Sequence, residues 1–289
     1  MAVEFFDLSD FDLVISDTSS FAKGVITKPE TKHICYCHTP TRYLWSDTHQ
    51  YIRELRYNKF FKKIISLVLN YVRIWDRQAA DRVDKFITNS KTSQDRIRKY
   101  YRRNSTIIYP SIEEEKFYIS DKQEDYFLVG SRLVPYKRID IVIEAFKQTD
   151  KRLKIFGDGL DLDRLKGIAG DSKNIEFLGR VSDEERTELY SKCQAYINPQ
   201  KEDFGITIVE AMASGRPVIA FGQGGATETI IEGKTGEFFE EENTESVLEA
   251  VNSFDVNKYN PEEIRAHAMQ FSKDNFKKNI REFIEREAF

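Results

Sequence analysis

The chain has 289 residues, 40% of them hydrophobic and 32% charged, with a formal net charge of -4, which is room for two domains with cores of their own. That charge argues against a general nucleic-acid binder, the three cysteines (Cys35, Cys37, Cys193) against a disulfide scaffold, and the lack of a long apolar run against a membrane-spanning protein. No signal peptide is recognisable, so the expected compartment is a reducing cytoplasm.

Residues 1–11 form a short acidic lead-in, and DLVIS at 12–16 reads as a strand. A loop carrying Ala22-Lys23-Gly24 leads to the next strand, KHICYC at 32–37, which Pro40 keeps from continuing. A long helical region is expected over 50–82, a strand over 85–88, a helix over 91–101 capped by Ser90, and a strand over 106–109 ended by Pro110. The polar, acidic stretch 110–123 reads as an interdomain linker.

The second half alternates more regularly. Strands are expected at 126–129, 152–156, 175–178, 195–197, 217–221 and 236–239. Helices are expected at 137–148, 160–169, 183–192, 206–213, 225–232, 243–253 and 261–286. Strict alternation means parallel, doubly wound sheets, in which ligands bind beyond the carboxyl ends of strands.

Charge is unevenly spread. Between Arg53 and Arg103 stand 15 Lys or Arg against five Asp or Glu, interleaved with Phe60, Phe61, Ile64, Ile65, Leu67, Val68 and Leu69. Such a segment either lies on an anionic membrane surface or packs as a solvated helix on its own domain, and the pattern leaves both open. Peripheral contact at the inner membrane face through 53–103 is therefore expected as one of the two.

The stretch Glu202–Gly225, EDFGITIVEAMASGRPVIAFGQGG, holds two glutamates, Glu202 and Glu210, with seven residues between them. Gly205 precedes a helix whose apolar face is Ile206, Val209, Met212 and Ala213, and Gly215 with Pro217 stops it. A helix N-terminus suits a phosphate, and carboxylates beside it accept hydrogen bonds from ribose or sugar hydroxyls. This points to a sugar nucleotide, with the diphosphate on the helix end, ribose on Glu210 and the transferred sugar on Glu202. A chance meeting of a surface acid and a helix acid is the plainer reading.

Other candidates stand at strand ends. Arg132 and Lys137, in the loop GSRLVPYKR, would stabilise charge growing on a departing diphosphate, if they are not merely a basic surface loop. Phe156-Gly157-Asp158-Gly159 suits a tight turn beside a ligand, Arg180 and Val181 could frame the base, and Gly222, Gly224 and Gly225 would let backbone approach the sugar. His38 closes a strand of the first half, where a purely structural histidine is the alternative. Zinc at His33, Cys35, Cys37 and His38 is poorly served, because adjacent strand positions chelate awkwardly and no second cluster completes the set.

With Arg132, Lys137, Gly157-Asp158-Gly159, Glu202, Glu210 and Gly224-Gly225 in place, the second half resembles the retaining glycosyltransferase family four. The first half is similar too, through DLVIS, Ala22-Lys23-Gly24, YCHTPTRYLW at 36–45, WD at 75–76 and VDKFITNS at 83–90. GSRLVPYKRID and QKEDFGIT look like the bacterial branch that builds O-antigen and exopolysaccharide with mannose. The resemblance implies the GT-B fold: two Rossmann-like α/β domains with parallel sheets facing across a cleft. It implies no metal and no cofactor. Position by position, it implies a diphosphate held by Arg132 and Lys137 and by backbone near Phe204, Gly205, Ile206 and Thr207. Ribose would lie on Glu210, donor-sugar hydroxyls on Glu202 and the sugar's reacting carbon near His38. The donor implied is GDP-mannose, and the acceptor a saccharide or a lipid-linked one.

The expected domains are 1–122 on the acceptor side, 123–270 for the nucleotide sugar, and a helix at 271–289 crossing back to the first. The opening strand and Gly-rich loop of the family are not recognisable, so the first domain is expected to be incomplete, with about four strands and one uncovered edge. A binding module that needs a partner chain for catalysis is the alternative function. A nicotinamide-dependent dehydrogenase fits poorly, since no G-x-G-x-x-G follows a first strand.

Overall fold

The computed structural model describes residues 2–55 and 57–288. Met1, Arg56 and Phe289, which fall inside the expected domain ranges and the basic segment, lie outside them. The chain divides into two compact units, Met1–Tyr109 with Lys277–Phe289, and Pro110–Phe276.

In the first unit β1 (Leu13–Thr18), β2 (Lys32–Cys37), α1 (Thr48–Glu54), α2 (Lys59–Ala79), β3 (Lys85–Thr88), α3 (Lys91–Arg96) and β4 (Ser105–Ile107) follow one another. The four strands are parallel in the order β1-β2-β3-β4. The helical region expected over 50–82 is two helices. Leu55 turns extended after α1, and Asn58 restarts the chain by capping α2 through the Phe61 N–H.

Several strings of the first half meet in one buried cluster. Lys23 and Asp76, 1% and 0% exposed, pair at 2.6 Å. Asp76 also accepts from Thr41 Oγ1 at 3.1 Å, Trp45 Nε1 at 2.8 Å and the Tyr101 hydroxyl at 2.8 Å. A buried carboxylate is tolerated only when its lone pairs are filled in this way. Gly24 is required beside it, since a Cβ there would stand 2.5 Å from the Trp75 ring. His33 is buried, with Nε2 2.8 Å from Ser16 Oγ. The three cysteines are buried free thiols.

The second unit contains β5 (Phe127–Gly130), α4 (Ile139–Phe146), β6 (Leu153–Phe156), α5 (Leu162–Ala169), β7 (Ile175–Gly179), α6 (Asp183–Lys192) and β8 (Tyr196–Asn198). They are followed by α7 (Ile206–Ala213), β9 (Val218–Phe221), α8 (Ala226–Thr229), β10 (Gly236–Phe239), α9 (Thr244–Ser253) and α10 (Pro261–Ala268). Its six parallel strands run β10-β9-β8-β5-β6-β7. The order reverses between β5 and β8, as in a doubly wound dinucleotide-binding sheet. Strands β5 and β9 are buried at every residue, as strands covered by helices on both faces must be.

Three expectations are corrected here. The stretch 110–123 is not a free linker. Ile112 and Phe117 are buried, the Ile112 N–H donates to the Phe271 carbonyl, and Arg216 reaches Ser120 O and Gln123 Oε1, so the divide falls at Tyr109/Pro110 rather than at 122/123. The helix expected over 225–232 ends at Thr229, because Ile230 is extended. The helix expected over 261–286 is two, α10 and α11 (Lys273–Ala288). Phe271 turns into the core against Phe204, 5.6 Å between ring centroids, and Ser272 is extended.

Candidate functional site

The reversal between β5 and β8 leaves a crevice at the carboxyl ends of the strands, the place where doubly wound sheets hold ligands. A cavity of about 580 Å³ opens there. Its wall takes Gly130-Ser131-Arg132 after β5, Phe156 to Gly159 after β6, Arg180-Val181 after β7, Arg186 on α6 and Thr207 on α7. A smaller hollow of about 280 Å³ shares Arg180 and Val181.

Glycines set the shape of this floor. Gly157 has φ +117°, and a Cβ on it would lie 1.9 Å from the Ser131 carbonyl oxygen; one on Gly159 would lie 2.1 Å from that of Leu133. The β6 loop therefore lies directly against the β5 loop, tied by the Leu133 N–H to Asp158 O at 2.9 Å. The Asp158 carboxylate accepts from the Gly159 N–H at 2.7 Å and so holds its own turn.

The helix end is built the same way. Gly205, at φ +87°, begins α7 without a side-chain cap, so the first amides of that helix have no acceptor within it. At Gly224 a Cβ would stand 2.3 Å from Glu202 O, and at Gly225 2.2 Å from Phe204 O. They let the two loops touch, and the Gly225 N–H donates to Glu202 O at 2.9 Å. The Phe204 ring is buried, so its share in the site is confined to backbone, while Ile206 is 38% exposed.

Three guanidinium groups face the cavity. Arg132 donates to the Tyr136 hydroxyl at 2.8 Å, and among the described residues neither Arg132 nor Arg180 forms an ion pair. Arg186 was missed in the sequence. It stands 3.3 Å from Asp183 and 3.8 Å from Glu210, and its buried Nε has no hydrogen-bond partner. Glu210 itself is largely buried, which pushes its carboxyl above the usual range; Arg186 and the Tyr190 hydroxyl, 3.3 Å away, pull it back. A neighbour placed by the facing of α6 on α7 leaves no local signal.

Lys137 and Glu202 were read as separate contacts, one for phosphate and one for sugar. The structure joins them: the Lys137 ammonium donates to Glu202 Oε1, which also accepts from Gln200 Nε2 at 2.7 Å. They stand outside the lining of the large cavity, at the start of the loop that leads into α7. His38 belongs to the first unit. It follows β2, with Nε2 2.6 Å from Asp17 Oδ1 and the ring edge-on to Tyr36 at 5.1 Å. Among the described residues no group of three His, Cys, Asp or Glu is arranged to hold a metal ion.

A profile described as Glycosyl transferases group 1 matches residues 110–271, and one described as Glycosyltransferase Family 4 matches residues 2–116. The chain belongs to the glycosyltransferase group 1 family. It is 30% identical over 220 residues to an uncharacterized glycosyltransferase of Methanocaldococcus jannaschii, covering 74% of this chain and 62% of that protein. It is 24% identical over 284 residues to an alpha-1,3/1,6-mannosyltransferase of Dictyostelium discoideum, covering 80% and 64%. To an O-antigen chain mannosyltransferase of Salmonella typhimurium it is 31% identical over 166 residues, 52% of this chain and 45% of that one. The chain thus spans under two thirds of the length of these relatives.

Among solved structures the fold is shared with a sucrose-phosphate synthase from Thermosynechococcus elongatus, at TM-score 0.77 and 15% identity over 96% of this chain and 74% of that one. An Anabaena protein solved with UDP-glucose gives 0.72 and 22% over 95% and 79%. Both support the family's GT-B architecture, here two Rossmann-like units with parallel sheets.

Proposed function

We propose that the chain binds a nucleotide-diphosphate sugar at the switch point of the second unit and transfers the sugar, with retention, to a saccharide or lipid-linked acceptor. The observation that carries this reading is the convergence, on one cavity, of three guanidinium groups and the first turn of a helix without a side-chain cap, with the largely buried Glu210 carboxylate 3.8 Å from one of those groups, Arg186. Cations and helix amides suit a diphosphate, and the buried acid suits hydroxyl donors.

In this reading Arg132 and the first amides of α7 take the diphosphate. Lys137 shares itself between phosphate and Glu202, and Glu202 accepts from hydroxyls of the donor sugar. Glu210 takes the ribose, and Arg180 and Val181 flank the base. The acceptor hydroxyl attacks from the face the diphosphate leaves, and a leaving-phosphate oxygen takes its proton, so no protein base is required. GDP-mannose is the favoured donor. The mannosyltransferase relatives support mannose as the sugar, and Arg186, whose planar array of donors matches the paired acceptors on the guanine edge, supports GDP as the nucleotide.

The test is an assay with GDP-mannose and UDP-glucose, following both nucleotide release and sugar transfer to a short mannoside and to a polyprenyl-linked saccharide. Transfer from GDP-mannose is expected. Donor binding without release or transfer to either acceptor would favour the binding-module alternative, and failure to bind either donor would overturn the reading.

A further inference from the structure

Part of the basic segment 53–103 lies along one helix that is also apolar on its exposed side. Many of its cations are spent inside the first unit: Arg103 on the carbonyls of Ala80, Val83 and Asp84, Arg82 on Glu4 and the Gly24 carbonyl, and Arg96 on Thr39. Helix α2 is different. Its inward side buries Leu69, Asp76 and Ala79, yet Phe60, Ile64, Leu67, Val68, Tyr71 and Ile74 stand between 42% and 76% exposed.

Those six positions recur at three- and four-residue spacing, so they form one stripe over most of a 21-residue helix. A water-facing stripe of this extent is what interaction surfaces look like, not an ordinary solvated face. Lys59 and Lys63 lie along one border of the stripe, exposed and without an ion pair to any described residue. Among the described residues no helix is long and apolar enough to cross a membrane.

We propose that this face of α2 docks on an anionic phospholipid surface, with the helix lying in the interface plane, the apolar stripe among the acyl chains and the lysines on the headgroups. A second copy fits less well, because the same face of α2 offers Lys59 and Lys63 no exposed carboxylate; the helix's one acid, Asp76, is buried. The inference is independent of the donor reading and would place the chain beside acceptors carried on lipid.

Co-sedimentation with vesicles of phosphatidylcholine, with and without phosphatidylglycerol, tests it. The chain should pellet with the anionic vesicles, and added salt should release it. Reversing both lysines (K59E with K63E) should weaken binding tenfold or more, since each basic residue near such a surface is worth about fivefold in affinity. L67D with Y71D should abolish pelleting while circular dichroism stays that of the parent; both positions are exposed, so the fold should tolerate them. No pelleting by the parent chain, or unchanged pelleting by both variants, would overturn the proposal. A dimer in sedimentation velocity that L67D with Y71D disperses would assign the face to a second copy instead.

Discussion

Asp76 shows what a single buried charge commits a fold to. With Lys23, Thr41, Trp45 and Tyr101 all bonded to it, its removal strands an ammonium in the core. Asp76→Ala should cost about 3–5 kcal/mol, read from urea unfolding; a loss under about 1 kcal/mol would deny the cluster its structural role. His33 adds a pH dependence. Burial lowers its pKa from the usual 6.5 to about 4, so the folded state binds fewer protons than the unfolded chain. The stability it contributes is complete above pH 6.5 and lost as pH falls toward 4, on the order of 3 kcal/mol. His33→Gln should flatten that part of the profile, and an unchanged slope would contradict the assignment. Lys137→Ala should lower turnover about a hundredfold or more if the ammonium stabilises the departing diphosphate; near-normal turnover would remove it from that role. At this scale the sequence showed charges at strand ends but not their partners. Lys137 with Glu202, and Arg186 beside Glu210, are products of tertiary packing that local spacing does not encode.

Among elements, the loops after β5, β6 and β7 line the cavity more than the helices do, and the loop after β8 sets where α7 begins. Gly225→Ala would push a methyl group to within 2.2 Å of the Phe204 carbonyl, parting the two loops that hold the start of α7. We expect a loss of about 1–3 kcal/mol in urea unfolding, accompanied by weaker GDP binding. A variant as stable and as tight as the parent would show that the contact is dispensable. The regular αβ alternation made the strands of this unit legible to within a residue or two, because buried strands between helices leave continuous apolar runs. The break at 269–272 was not legible. Phe271 keeps the helical apolar period while leaving the helix, and only its packing on Phe204 reveals the turn.

For the whole molecule, two parallel sheets and a ligand crevice at the switch of strand order follow from connectivity alone, which is why the fold class could be read before any coordinates. The linker reading failed for a physical reason: acidic composition at 110–123 hid Ile112 and Phe117, two apolar residues enough to pin that stretch to the second unit. Where a nucleoside diphosphate binds is the decisive property of the second unit. Isothermal titration of GDP into the parent chain, Glu210→Ala and Glu249→Ala settles that, since Glu249 lines a different cavity of the same unit, about 420 Å³ in volume. The prediction is a single site, weakened tenfold or more in Glu210→Ala and unchanged in Glu249→Ala. Equal affinity in all three chains, or no binding in the parent, would contradict it.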